Sequence, residues 1–174
     1  MSRLQQEIKK RVAFACPQQE AVLNLFRTSD RLSHRLSQLF AEYGLTGPQY
    51  NILRILRGEG KPLPCLEIAQ RTITVVPGIT GLIDRLEQKG LVQRQRCATD
   101  RRIVLVSLSP LGEELLQQLE QPVVALCEYL LGLLSEQEVQ ELSRLLEKAR
   151  ALTTPQRVAP HTENTPYEDA LHTH

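Results

Sequence analysis

Six basic side chains are concentrated between positions 85 and 102 of the 174-residue chain. They are Arg85, Lys89, Arg94, Arg96, Arg101 and Arg102, and the acidic residues of the same stretch are Glu87 and Asp100, so the local net charge is six minus two, or +4. The whole chain has a formal net charge of only +1, so the excess is local. Such a cluster can bind phosphate oxygens through charge-assisted hydrogen bonds, although it can also be an ordinary solvated face. Whether the cluster binds phosphate or is only a solvated face depends on the helices and strands that carry these side chains.

A helix, a turn and a second helix are predicted just before and within this cluster. The first helix ends at residues 67–71, residues 72–76 connect, and the second helix covers residues 77–89. One face of the second helix is apolar at the i, i+3, i+4 and i+7 positions, which are Ile79, Leu82, Ile83 and Leu86. Pro77 suits an early helical position because its missing N–H would have had no partner there. Gly90 supplies the left-handed residue that ends a helix.

Capping residues mark the starts of three further helices. Thr46-Gly47-Pro48-Gln49 and Ser135-Glu136-Gln137-Glu138 are capping-box patterns, and Ser109 is an N-cap with Pro110 behind it. In the first helix of the helix-turn-helix, which Pro64 opens, Leu66 and Ala69 are expected to pack inward.

Two short strands are predicted directly after this helix-turn-helix. They cover residues 92–96 and 102–108, the second is rich in β-branched residues, and a charged tip joins them. A short strand near residues 61–63 is a further candidate for the same sheet. A helix-turn-helix followed by such a hairpin is a winged helix, in which one helix can enter a major groove and the hairpin can meet the adjacent backbone or minor groove.

Long helices are predicted on both sides of this winged helix, which covers residues 45–108. Residues 17–44 and 109–152 carry apolar seams at helical spacing, longer than a small winged helix needs to cover its own core. The surplus is therefore expected to face a second copy of the chain. Residues 1–16 are a weakly patterned extension, and the polar residues 153–174 are expected to be disordered. The fold class predicted is mainly α with a small β-hairpin wing, a winged helix-turn-helix with long N- and C-terminal dimerisation helices.

Five ordered segments resemble the MarR family of bacterial transcription regulators. They are Leu45-Thr46-Gly47-Pro48-Gln49-Tyr50, the run from Asp84 to Val92, Arg94, Asp100-Arg101-Arg102, and the run from Val106 to Gly112. The resemblance covers about residues 22–149. It implies a homodimer, joined through the terminal helices, that binds a pseudo-palindromic double-stranded DNA operator. It further implies repression and, in many relatives, release by a small phenolic or anionic effector, for which no ligand-binding residues can be assigned here.

The candidate DNA-binding residues lie on the second helix and on the wing. They are Pro77, Gly78, Thr80, Gly81, Arg85, Arg94, Arg96, Arg101 and Arg102. Arg102 is the first choice for insertion into a narrow minor groove, whose negative potential favours arginine. Gly81 stands where resembling regulators often have a longer polar residue, which implies fewer direct base contacts. Asp100 is assigned a structural role, pairing with a neighbouring arginine to fix the hairpin.

Other classes of function find less support in the sequence. No nucleophile elbow, phosphate loop, dinucleotide fingerprint or zinc-protease motif is present, so an enzyme is not expected. No cofactor, metal site or disulfide framework is expected, because Cys16, Cys65, Cys97 and Cys127 are scattered. Without a signal peptide or membrane span, the protein is expected to be cytoplasmic. Three alternatives remain open: a winged-helix module that binds an acidic protein, a DNA-packaging protein, and a peroxide sensor that uses a cysteine.

Overall fold

The structure is a computed structural model that describes residues 1–74, 76–97 and 102–151. Its elements are α1 (Arg3–Glu7), α2 (Pro17–Glu42), α3 (Gly47–Glu59), β1 (Leu63–Pro64), α4 (Cys65–Gln70), α5 (Ile79–Gln88), β2 (Val92–Arg96), β3 (Val104–Leu108), α6 (Pro110–Leu131) and α7 (Glu136–Arg150). The described residues divide into two compact units, one of Met1–Leu130 and one that begins at Leu131. The tail predicted to be disordered, residues 153–174, lies outside the described residues. The predicted fold class, mainly helical with a small β wing, is confirmed.

Local sequence signals set the ends of the helices. α3 begins with the predicted capping box: the Gln49 amide donates to the Thr46 hydroxyl at 3.4 Å, and the Thr46 amide donates to the Gln49 side chain at 3.1 Å. α2 and α3 are followed by Gly44 and Gly60, both at φ +68°, which is a left-handed conformation that glycine adopts without steric cost. α7 begins with a second predicted capping box, at Ser135 and Glu138.

Three antiparallel strands form the sheet in the order β1-β3-β2. β1 is the short strand anticipated from the sequence, and its Leu63 lies opposite Val106 of β3. In the wing hairpin, Arg94 also lies opposite Val106, while Arg96 lies opposite Val104. Val106 is completely buried and Val104 is 39% exposed, so the hairpin leaves the core as it runs towards its tip.

One apolar core holds the helix-turn-helix and the sheet together within Met1–Leu130. Its completely buried members are Ile52, Leu53, Ile68, Ile83, Leu86, Val106 and Leu119, which belong to α3, α4, α5, β3 and α6. The prediction that Leu66 of α4 packs inward is wrong, because Leu66 is 71% exposed and Ile68 is the buried residue. α4 has only six residues, too few for the apolar period to show which side faces the core.

The N-terminal extension contains more structure than its sequence suggested. Ser2 and Gln5 form a capping box at the start of α1, and Leu4 is 4% exposed. The Glu7 carboxylate accepts hydrogen bonds from Arg27 and Arg31 of α2, both at 3.1 Å, so α1 is held against α2. These arginines, led by the hydrogen bond from Arg27, lower the pKa of Glu7 below its ordinary value. No helix in the described part of the chain combines the length and apolarity needed to cross a membrane.

Candidate nucleic-acid interface

α5 has one face in the core and one face in solvent. Ile83 and Leu86 are completely buried and Ile79 is half-buried, whereas Thr80 and Arg85 on the other side are exposed. Gly81 lies on the outward side, one turn before Arg85. The predicted periodicity is therefore correct, and α5 presents a polar face that no described element covers.

The start of α5 differs from the prediction. The helix begins at Ile79, not at Pro77, and Gly78 is its N-cap at φ +69° and ψ +40°. A residue in this left-handed conformation cannot belong to a right-handed helix, so Pro77 and Gly78 form a turn that leads into α5. The Gly81 N–H donates to the Gly78 carbonyl oxygen at 3.0 Å and closes the first turn.

Arg94 connects the wing to α5. Its guanidinium lies 2.5 Å from Asp84 Oδ1 and 3.0 Å from Glu87 Oε2, and it donates a third hydrogen bond to the Thr80 carbonyl oxygen at 3.3 Å. All three acceptors belong to α5, so one β2 side chain holds the first and last turns of the helix. Partial burial opposes the charged guanidinium, but the hydrogen bond and charge of Asp84 outweigh it, and the pKa of Arg94 is raised above its ordinary value.

The predicted DNA-contacting residues therefore divide into two groups. Arg94, with 22% of its side chain exposed, is engaged inside the protein by Asp84 and Glu87. Arg85 on α5, Arg96 on β2 and Arg102 in the turn before β3 are exposed to solvent. Asp100 and Arg101 at the tip lie outside the described residues. Sequence reasoning missed the positioning role of Asp84 and Glu87, although an acidic pair at i, i+3 followed by an arginine strand was a visible signal.

The C-terminal end of α5 is fixed at several points. Gly90 is at φ +71°, its N–H donates to the Glu87 carbonyl oxygen at 2.8 Å, and the Leu91 N–H donates to the Leu86 carbonyl oxygen at 3.0 Å. This is the predicted glycine C-cap, and Leu91 packs back into the core at 5% exposure. Lys89 Nζ donates to the Gly44 carbonyl oxygen at 2.5 Å and connects α5 to the end of α2.

Ser109 and Gly112 fasten the base of the wing. The Ser109 hydroxyl donates to the Gly90 carbonyl oxygen at 2.6 Å and accepts from the Gly112 N–H at 3.0 Å, which caps α6 as predicted. A Cβ at Gly112 would lie 2.2 Å from the Leu91 carbonyl oxygen. Only a glycine lets the first turn of α6 come this close to the strand that follows α5.

Within the described residues, the clefts and the cysteines form no second candidate functional site. An open cleft of about 200 Å³ lies between the end of α3, residues 60–62, the end of β3 and the start of α6, and one of about 300 Å³ lies around residues 13–17. No group of three or more metal-ligating side chains is present in this part of the chain. Cys65 is half-buried, whereas Cys127 is exposed on α6.

An outward helix, an arginine-bearing hairpin and a fixed junction between them define the class of winged helix-turn-helix transcription regulators. The sequence model of the MarR family matches residues 45–104. The crystal structure of a MarR transcription factor from Planctomyces limnophilus is 42% identical, with a TM-score of 0.61 over 78% of this chain and 99% of that one. The chain belongs to the MarR family.

Two further relatives carry functional names. The homoprotocatechuate degradative operon repressor of Escherichia coli is 29% identical over 63% of this chain and 74% of that protein. The structure of Bordetella bronchiseptica BpsR, a protein whose DNA binding is regulated by 6-hydroxynicotinic acid, is 25% identical. Its TM-score is 0.68 over 75% of this chain and 98% of that one. This family consists of transcription regulators rather than enzymes.

Proposed function

We propose that this protein is a homodimeric repressor that binds a pseudo-palindromic operator in double-stranded DNA. In this proposal residues 45–108 are the DNA-binding domain, with α5 in the major groove and the wing on the adjacent backbone or minor groove. The observation that carries it is the Arg94 junction, which holds α5 and β2 as one body with Thr80, Arg85 and Arg96 facing outward. An exposed helix face aligned with an exposed arginine strand matches the shape and charge of a duplex, in which a groove lies beside the phosphate backbone.

The proposed contacts differ in kind. Thr80 offers a hydroxyl to base edges or phosphate and a methyl to thymine, and Arg85 extends the same face of the helix. Arg102 is proposed for the minor groove and Arg96 for phosphate, as is Arg101 from the tip. Arg94 is now assigned to positioning, since its donors are directed to α5.

Dimerisation is supported by apolar surface on the flanking helices, the proposed dimerisation regions 17–44 and 109–152. On α2, Val22 is 49% exposed and Phe26 is 69% exposed, and on α6 Tyr129 is 74% exposed. Leu133, after α6, is fully exposed. Large apolar side chains that are exposed on these helices are suited to burial in an interface, and a second copy that covered them would place two α5 helices at half-sites one DNA turn apart.

A small phenolic or anionic effector is proposed as the signal that releases the DNA. Support comes from the names of two relatives, one the repressor of an operon for degradation of homoprotocatechuate and the other regulated in its DNA binding by 6-hydroxynicotinic acid. Both molecules are hydroxylated aromatic acids. Peroxide sensing by a cysteine has less support, because neither of these two relatives is named for it.

A footprint on the DNA that flanks the gene tests the proposal directly. We expect protection of a two-fold symmetric site, which disappears when hydroxylated aromatic acids are added. Binding measured against salt concentration should show a linear decrease of log K with log salt. A protein-binding module would show no salt-dependent affinity for duplex DNA, and a DNA-packaging protein would show no preference for its own promoter.

Arg102→Ala tests the assignment of the wing. It should weaken operator binding by at least about 1 kcal/mol and flatten the salt dependence, because one cationic contact is lost. Unchanged affinity would remove Arg102 from the interface. The matched control is Arg11→Ala, whose exposed side chain lies outside both the proposed DNA-binding domain and the proposed dimerisation regions.

A further inference from the structure

Gly81 is a glycine inside a helix at a position where the fold does not require one. It is the third residue of α5 and has no left-handed φ, unlike Gly78 and Gly90. A Cβ built on Gly81 would meet no heavy atom within 4 Å, apart from its chain neighbours and the backbone of its own helix. Alanine would fit there, and in a helix alanine is intrinsically more stable than glycine. The free protein therefore gains no stability from this glycine.

Gly81 lies at the centre of the outward face of α5, where the absence of a side chain changes the shape of the surface. Residues three and four apart are neighbours on a helix surface, so Gly81 is surrounded by Gly78, Asp84 and Arg85. Asp84 is held back towards the wing by Arg94. The centre of the outward face of α5 is thus a shallow surface, where the half-buried Gly81 has open space in place of a side chain and lies next to the exposed Thr80.

We propose that Gly81 is a specificity-determining residue, because its missing side chain lets the α5 backbone approach the floor of the major groove. This inference rests on the proposed DNA binding. Glycine is the residue that permits close approach of backbone to a ligand, and direct reading of bases requires the helix to lie deep in the groove. The DNA itself fills the space that a methyl group at position 81 would occupy.

The test compares Gly81→Ala with Gly58→Ala in the full-length protein. Gly58 is the matched control, because it also lies within a helix, has no left-handed φ, and would place its Cβ in open space. The DNA is a duplex selected from a random-sequence pool by the unaltered protein. The two measurements are the melting temperature without DNA and the dissociation constant for that duplex.

Both variants should melt about 1–4 °C higher than the unaltered protein, since each replaces a helical glycine by alanine. Only Gly81→Ala should bind the selected duplex more weakly, by at least tenfold, while Gly58→Ala keeps its affinity. A single variant that becomes more stable and binds less well separates a contact with DNA from damage to the fold.

Each other outcome overturns the inference. Equal affinity of Gly81→Ala and the unaltered protein would show that DNA does not approach this surface closely, while DNA binding itself would stand. A lower melting temperature of Gly81→Ala would show that the fold needs the glycine. Failure of the unaltered protein to select any duplex would refute the proposed function and this inference together.

Discussion

Replacing Arg94 by methionine should loosen the wing from α5 while leaving the rest of the core in place. Methionine keeps much of the apolar stem but removes all donors of the guanidinium to Asp84, Glu87 and the Thr80 carbonyl. The two carboxylates, one turn apart on α5, would then face each other without the cation between them.

The magnitude follows from the exposure of the partners. Hydrogen bonds to charged groups contribute about 1.5–3 kcal/mol when shielded, and exposed ion pairs contribute about 0.2–1 kcal/mol. The Arg94 side chain is 22% exposed, whereas the side chains of Asp84 and Glu87 are 47% and 41% exposed. The contribution of this network to stability therefore lies between the shielded and the exposed values. We expect Arg94→Met to lower the free energy of unfolding by about 1–2 kcal/mol. The urea midpoint should fall by about 0.5–1 M at a fixed protein concentration.

Circular dichroism is the suitable probe of unfolding, because the chain has no tryptophan. Operator affinity should fall about 5–30-fold, the equivalent of the same 1–2 kcal/mol, because binding must first align the wing with α5. The slope of log K against log salt should stay unchanged, since no phosphate contact is lost.

Arg96→Met is the matched control on the same strand. Its side chain is exposed, so its substitution should leave the urea midpoint unchanged but lower the salt slope by about one phosphate contact. If Arg94→Met instead left the midpoint unchanged and lowered the salt slope, Arg94 would be a DNA contact and the positioning role would be refuted.

Two further predictions concern the packing of α6 and the dimer. Gly112→Ala should destabilise the protein by about 1–3 kcal/mol in thermal melts, because the new methyl would overlap the Leu91 carbonyl oxygen. The control Gly58→Ala should not destabilise it. If Gly112→Ala melted at the same temperature as the unaltered protein, α6 would be free to shift. Phe26→Glu should convert the dimer to a monomer at micromolar concentration in light scattering, because it places a charge on the proposed interface of α2. The control Leu66→Glu, at a position on α4 that is 71% exposed, should leave the dimer intact. If Phe26→Glu remained a dimer, the interface would not include Phe26.

Elements whose signals are local could be predicted from the sequence. The capping box at Thr46, the glycine C-cap at Gly90 and the serine cap at Ser109 each depend on residues within four positions, and all three were confirmed. The pattern of α5 was equally readable, since four apolar residues at helical spacing leave one choice of buried face. Pro77-Gly78 was misread, because a proline–glycine pair is also a turn signal, and the φ of Gly78 decides between the two.

Contacts between elements could not be read from spacing alone. Arg94 and Arg96 share one face of β2, and the sequence gives no means to separate their roles. The roles of Arg94 and Arg96 differ because Arg94 lies opposite the buried Val106, near the core and within reach of α5. Arg96 lies opposite Val104, closer to the wing tip. The exposure of Cys127 was unpredictable for a similar reason: α6 has more apolar residues than this single chain can bury.

The Ser109 hydroxyl, between β3 and α6, joins both to the turn after α5, which lies 19 residues earlier in the chain. Through it the turn after α5, the inner end of β3 and the opening turn of α6 are tied at a single atom. Because one oxygen holds all three, a tilt of the first turn of α6 is expected to shift the base of the hairpin with it.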